Sequence, residues 1–334
     1  MPAETAPLRR AQTPSVRASN PHQASSSAEL VAAARCTSSV RIPLACSITL
    51  CLVLASAAGD GTAKERQPVL AYASDAAGNL DVFVTGDGDA PPKRLTSSRR
   101  DDFSPNWSPD GRRIAYRVNP RRSDVGDVWV MRANGTGKRN LTRTPRVAEW
   151  SPAFSPDGTR IAYYSNAVGV GDVWVMRADG TGRRNVTRNG ALNEYPTWSP
   201  DGRAVAFNSH RDGQFEVYRA TASGARQRNL TRNPAKDQWP AWSPDGRHVA
   251  FMSDRDGSED VFVMRADGSG MRNVTETPTL EESHPTWMPD GRLSFTRHGD
   301  TGPIELWAVE IEGSGKWRLD TSAEPVFVFA WKPR

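Results

Sequence analysis

The sequence predicts an all-β fold: a six-bladed β-propeller of four-stranded antiparallel blades, closed by the C-terminal strand pairing into the N-terminal blade. Three observations predict it. A short opening motif recurs with aromatic-to-aromatic intervals of 47, 44, 44, 45 and 44 residues. Each interval holds the patterns of four short strands, with no helical period. The two ends of the repeating region are incomplete in complementary ways. Repeats of this length built from strands are the mark of propeller blades.

The opening motif supplies the first strand and its turn. Its copies are Trp107-Ser108-Pro109-Asp110-Gly111, Phe154-Ser155-Pro156-Asp157-Gly158, Trp198-Ser199-Pro200-Asp201-Gly202, Trp242-Ser243-Pro244-Asp245-Gly246 and Trp287-Met288-Pro289-Asp290-Gly291. Ser-Pro-Asp-Gly suits a type I turn, in which Pro presets φ and Gly takes the left-handed place after it. A second strand comes next, as in Arg113-Ile114-Ala115-Tyr116. The third alternates with period two, as in Asp127-Val128-Trp129-Val130-Met131 and Asp260-Val261-Phe262-Val263-Met264, and β-branched and aromatic residues at that spacing are strand chemistry. Asn134-Gly135, Asp179-Gly180 and Asp267-Gly268 mark tight hairpins. The fourth strand is short: Arg139 to Thr142, Arg184 to Thr187, Arg228 to Thr231, Arg272 to Thr275.

The ends fix the number of blades. Val69 to Tyr72, Asp81 to Val84 and Lys93 to Thr96 read as second, third and fourth strands without a first. Val326 to Trp331 reads as a first strand without the rest. Joined, they make the sixth blade.

These motifs resemble the TolB-type propeller repeat. The likeness rests on Trp-Ser-Pro-Asp-Gly, on Ile-Ala-Tyr or Val-Ala-Phe, and on Asp-Val-Trp-Val-Met-Arg-Ala-Asp-Gly with Leu/Val-Thr after it. It covers residues 68–334. It differs from the WD repeat, since no Gly-His pair opens the copies and no Trp-Asp closes them. The family's namesake carries an α/β domain before its propeller, and only about 60 residues precede the first strand here. The resemblance therefore implies an exported, non-enzymatic binding propeller without that N-terminal domain. Related propellers also precede peptidase domains or form oligogalacturonate lyases. An extracellular metal-dependent polysaccharide lyase, or another propeller hydrolase, is thus one alternative. A membrane-anchored sensor module is the other.

The head of the chain differs from the rest. Residues 1–40 are rich in Ala, Ser, Pro and Arg, without an apolar period. Residues 42–58 carry no charge, come directly after Arg41 and end near Ala55-Ser56-Ala57, which is the layout of a secretory signal. We expect a disordered leader plus secretory signal over residues 1–58, with a membrane anchor as the competing reading, and a linker over residues 59–67. Export to the periplasm or cell exterior is the consequence. All three cysteines (Cys36, Cys46, Cys51) precede residue 58, so the propeller has no disulfide, thiol nucleophile or Cys–zinc site. Of the formal charge of +5, the head holds +3, leaving a near-neutral propeller with no global field for nucleic acid or anionic lipid. The expected partner is an envelope or extracellular protein or a small ligand. Nucleic acid is not expected, membrane contact is expected only through residues 42–58 if these stay uncleaved, and the chain is expected to be a monomer.

Function in a ring resides in what varies between blades. The loops entering the first strands end on one face, around a central funnel. Five residues before each opening aromatic lie Asp102, Glu149, Asn193, Asp237, Glu282 and Val326. Two residues further on lie Ser104, Ser151, Tyr195, Trp239, His284 and Val328. We expect an acidic, partly aromatic mouth, with Asp102, Glu149, Tyr195, Asp237, Trp239, Glu282 and His284 as partner-binding residues; exposed acids capping loop amides are the structural alternative. Loops between second and third strands, including 119–126, 166–171, 209–215 and 253–259, reach the same face and read as solvated turns. The repeated opening Trp residues and the acids before the third strands (Asp81, Asp127, Asp172, Glu216, Asp260, Glu305) read as structural. So do the Asn-Leu/Val-Thr triplets, although they match a glycosylation pattern. No catalytic constellation, metal site or cofactor is expected: there is no Gly-x-Ser-x-Gly elbow. At most, His210, His284 and His298 share the funnel side.

Overall fold

A computed structural model describes residues 69–85, 90–120, 123–298, 304–312, 315–319 and 328–333. The expected leader, signal and linker lie outside the described residues, as does Val326.

Among the described residues the chain is all β. The N-terminal strands are β1 (Leu70–Ser74), β2 (Asp81–Val84) and β3 (Lys93–Arg94). Five complete copies come after them. The first is β4 (Asp101–Trp107), β5 (Arg113–Asn119), β6 (Asp127–Arg132) and β7 (Arg139–Asn140). The second is β8 (Glu149–Phe154), β9 (Arg160–Ser165), β10 (Asp172–Arg177) and β11 (Arg184–Asn185). The third is β12 (Asn193–Trp198), β13 (Ala204–Ser209), β14 (Glu216–Thr221) and β15 (Arg228–Asn229). The fourth is β16 (Asp237–Trp242), β17 (His248–Ser253), β18 (Asp260–Arg265) and β19 (Arg272–Asn273). The fifth is β20 (Glu281–Trp287), β21 (Leu293–His298), β22 (Glu305–Val309) and β23 (Trp317–Arg318). Last comes β24 (Phe329–Trp331).

Each copy is one four-stranded antiparallel meander, and the sixth sheet has the order β24-β1-β2-β3. Leu70 pairs with Trp331, Ala71 with Ala330 and Tyr72 with Phe329. The chain ends thus share a blade as their sequence patterns predict. First strands pack on first strands around the ring, β4 on β8, then β12, β16, β20, β24 and back to β4. They are the innermost staves. Among the described residues each sheet packs against the sheets before and after it in the ring.

The core lies between the blades. One aromatic from each second strand is buried there: Tyr72, Tyr116, Tyr163, Phe207, Phe251 and Phe295. Three of the opening tryptophans bond to neighbouring blades. Trp198 Nε1 donates to the Ala153 carbonyl (3.0 Å) and Trp287 Nε1 to the Ala241 carbonyl (2.9 Å), each on the preceding blade. Trp107 Nε1 reaches Ala330 across the closure (3.2 Å). Most buried indole N–H groups in proteins find such an acceptor, whereas that of Trp242 has none among the described residues. The predicted turn forms as well: Gly111 N–H donates to the Ser108 carbonyl (2.8 Å), with Gly111 at φ +62°.

Candidate binding site at the funnel

Every complete first strand is broken at the same place. The register with its second strand slips between Phe103 and Asn106, Trp150 and Ala153, Glu194 and Thr197, Gln238 and Ala241, and Ser283 and Thr286. At each slip one residue sits in the left-handed region: Ser104, Ser151, Tyr195, Trp239 and His284, with φ between +49° and +53°. A proline stands directly after each of them (Pro105, Pro152, Pro196, Pro240, Pro285). Proline has no N–H to give a ladder, so it suits a bulge on an edge strand. The bulge also re-aims the preceding side chain.

Three re-aimed side chains on consecutive blades meet. The Tyr195 ring lies edge-on to Trp239, with centroids 5.9 Å apart and planes at 80°. Trp239 stacks on His284 at 4.1 Å and 21°. Asn208, on the preceding blade, fixes the middle of this arc: its Oδ1 accepts the Trp239 backbone N–H (3.0 Å). Trp239 is buried and its indole N–H has no acceptor among the described residues. Tyr195 and His284 are half-buried. Ser283 Oγ lies 3.1 Å from His284 Nδ1. Burial pushes the His284 imidazole down to about 4, with His298 contributing, so the stacked ring is neutral at pH 7.

The carboxylates do not form the exposed acidic lining expected from their spacing. Asp102, Glu149, Asp237 and Glu282 are all buried, none more than 3% exposed. Two of them hold buried or half-buried arginines: Asp237 accepts Arg255 Nη2 (2.8 Å) and Glu282 accepts Arg297 Nε (2.9 Å). Glu149 accepts the Thr144 hydroxyl (2.8 Å). Asp102 accepts a long hydrogen bond from Ser98 Oγ (3.4 Å), with the Thr96 side chain also stabilising its charged form, and its Oδ1 makes no hydrogen bond among the described residues. Desolvation raises both the Asp102 and Glu149 carboxyls to about 7.

These acids belong to a repeated girder. Asp127, ahead of the third strand, accepts Asn140 Nδ2 (2.8 Å), Thr142 Oγ1 (3.1 Å) and the Thr144 N–H (2.8 Å). Thr144 then reaches Glu149 of the next blade. Asp260 repeats the pattern with Asn273, Thr275 and the Thr277 N–H, each at 3.1 Å, and Thr277 Oγ1 donates to Glu282 (2.6 Å). The Asn-Leu/Val-Thr triplets thus serve as fourth-strand donors. Asn193 takes the carboxylate's place in β12 and donates to Asp172 (3.2 Å).

The funnel histidines are dispersed. His298 pairs with Glu281 (3.3 Å), and His210 sits edge-on to Phe215 with centroids 5.1 Å apart. Among the described residues no group of three or more His, Cys, Asp or Glu side chains is placed to hold a metal ion. Sequence reasoning picked out the aromatic positions but missed the bulge that brings them together. The signal was the proline after each variable position.

Six four-stranded sheets, with the two ends of the repeating region joined in one of them, define a closed β-propeller rather than a repeat array with open ends. The family profile described as the TolB beta propeller domain matches residues 86–334, and the chain belongs to that family. Similarity to individual relatives is lower. The "Tol-Pal system protein TolB" of Anaeromyxobacter dehalogenans (strain 2CP-C) is 43% identical over 54 residues, which span 16% of this chain and 12% of that protein. The crystal structure of TolB from Acinetobacter baumannii superposes with a TM-score of 0.68 at 23% identity, covering 80% of this chain and 67% of that one. A putative TolB from Agrobacterium tumefaciens gives 0.61 at 20% identity, covering 76% and 88%. Both structural likenesses concern the fold.

Proposed function

We propose that the chain is an exported, non-enzymatic binding propeller that engages a protein partner at the funnel, with Tyr195, Trp239 and His284 as the contact arc. The observation that carries this reading is the placement of three rings from consecutive blades in one array, each held in a conformation that bulky residues rarely adopt. Left-handed backbone at such residues costs on the order of 1 kcal/mol each and is typically retained at functional sites. Clustered aromatics anchor protein interfaces. The relatives named as Tol-Pal system proteins support a protein partner in the cell envelope. On this reading Asp102, Glu149, Asp237 and Glu282 act beneath the surface, holding the loops that frame the arc.

The test is affinity capture from the cell's own envelope, with the parent chain and with Tyr195→Ala and His284→Ala variants whose melting temperatures match the parent. The expected result is loss of a specific captured protein from both variants, with affinity down about tenfold or more. An unchanged set of captured proteins moves the site elsewhere on the ring.

A further inference from the structure

The near-neutral charge of the propeller conceals an uneven distribution. Among the described residues, ten carboxylates are buried but only two arginines, Arg117 and Arg297. On the exposed side stand 24 Lys and Arg against 16 Asp and Glu. The girder of acids takes negative charge inside and leaves the surface cationic. A sum over the chain therefore does not describe how charge is divided between interior and surface.

The excess is not paired with acids over the blade built from β8 to β11. Its crown consists of three loops, 141–148, 166–171 and 186–192, and none contains an acidic residue. Arg143, Arg146 and Arg188 are exposed there and make no ion pair among the described residues. Arg143 and Arg188 are presented alike, at φ +52° and +45°. Their backbone N–H groups donate to Asn140 Oδ1 (3.0 Å) and Asn185 Oδ1 (3.1 Å).

Between these arginines stands the 166–171 loop, Asn-Ala-Val-Gly-Val-Gly. The equivalent loops on the next two blades read His-Arg-Asp-Gly and Asp-Arg-Asp-Gly. Here the charges are replaced by Val168 and Val170, which are 61% and 50% exposed and are the only large apolar side chains exposed among the described residues. The loop is built, not loose. Ala148 N–H donates to Asn166 Oδ1 (2.8 Å), Asn193 N–H to the Gly171 carbonyl (2.9 Å), and Gly169 N–H to the Asn166 carbonyl (3.1 Å). Its base is thus tied on both sides, to the starts of β8 and β12, and the valines crown the turn.

We propose that this crown docks the protein on an anionic phospholipid surface, with Val168 and Val170 entering the headgroup boundary and Arg143, Arg146 and Arg188 meeting the phosphates. Apolar side chains at a tip ringed by unpaired arginines match the two components of peripheral membrane binding, buried apolar area and attraction to anionic lipid. Single-stranded nucleic acid is favoured less, because valines offer bases no stacking face. The crown and the aromatic arc share no residue, and the inference does not depend on the reading of that arc.

The test is co-sedimentation of the full chain with vesicles of phosphatidylcholine alone and of phosphatidylcholine containing phosphatidylglycerol. Two exposed-site variants are compared with the parent: Arg143→Glu/Arg188→Glu and Val168→Ser/Val170→Ser. All three share residues 42–58, so any contribution of that run is common to them. The expected result is salt-sensitive binding to the anionic vesicles, weakened about tenfold or more in the arginine variant and clearly in the valine variant, with equal behaviour on neutral vesicles. Unchanged binding in either variant overturns the proposal. So does arginine-dependent, valine-independent binding that duplex DNA or inorganic polyphosphate competes away, which marks a general polyanion surface.

Discussion

Asp102 is a carboxyl group kept from water with little to compensate it. Its pKa, raised to about 7 by desolvation, lies above that of the unfolded chain, so the folded state binds the proton more tightly. Its contribution is most favourable below pH about 4 and is lost as pH rises towards 7. Asp102→Asn removes that loss, so the variant gains on the order of 2 kcal/mol over the parent at pH 8 and little at pH 4. Urea midpoints at the two pH values measure this; an equal shift at both is incompatible with a buried, titrating carboxyl. The protein already carries the amide solution at Asn193. Residues of this kind were only half legible. Spacing marked the acids as equivalent, but their donors lie partly in the preceding loop (Thr144, Thr277) and partly in their own blade (Arg255, Arg297), and no periodicity reveals that a carboxylate faces inward.

At the scale of elements, turns were legible and bulges were not. Ser-Pro-Asp-Gly and Asp-Gly encode their own geometry through φ, and those hairpins stand where the sequence places them. The hairpin glycine of β10 and β11 shows how tightly this is set. Gly180 has φ +88°, and a Cβ there would lie 2.6 Å from the Leu141 carbonyl oxygen of the neighbouring blade. Gly180→Ala is expected to lower stability by about 1–3 kcal/mol, read as a fall in thermal midpoint. A midpoint within a degree of the parent's means that the hairpin and its neighbour move apart freely. The bulges escaped because strict alternation assigns residues 102 and 104 to the same face. The slip of register after Phe103 breaks that alternation within the strand.

For the molecule as a whole, the ring and its closure were legible because the missing strand at one end matches the surplus strand at the other. The distribution of charge was not, since a sum over the chain does not distinguish inside from outside. Closure has a measurable weight. β24 supplies the partners of Leu70, Ala71 and Tyr72 and the acceptor for Trp107. Removing residues 326–334 leaves β1 as an open edge beside the funnel. The expected outcome is a thermal midpoint lowered by about 10 °C or more, or failure to fold. A truncated chain that melts like the parent contradicts closure by that strand.

The bond from Trp107 to Ala330 joins residues 223 apart in sequence. A ribosome must therefore release the chain as far as Trp331 before the earliest blade can acquire its innermost strand. Until then β1 has an unfilled place beside it, and a foreign strand can occupy it. The nascent protein is open to mispairing at this edge until β24 emerges, and contacts this distant in sequence form slowly. Helper proteins that shield an open sheet edge matter most to this chain in that interval.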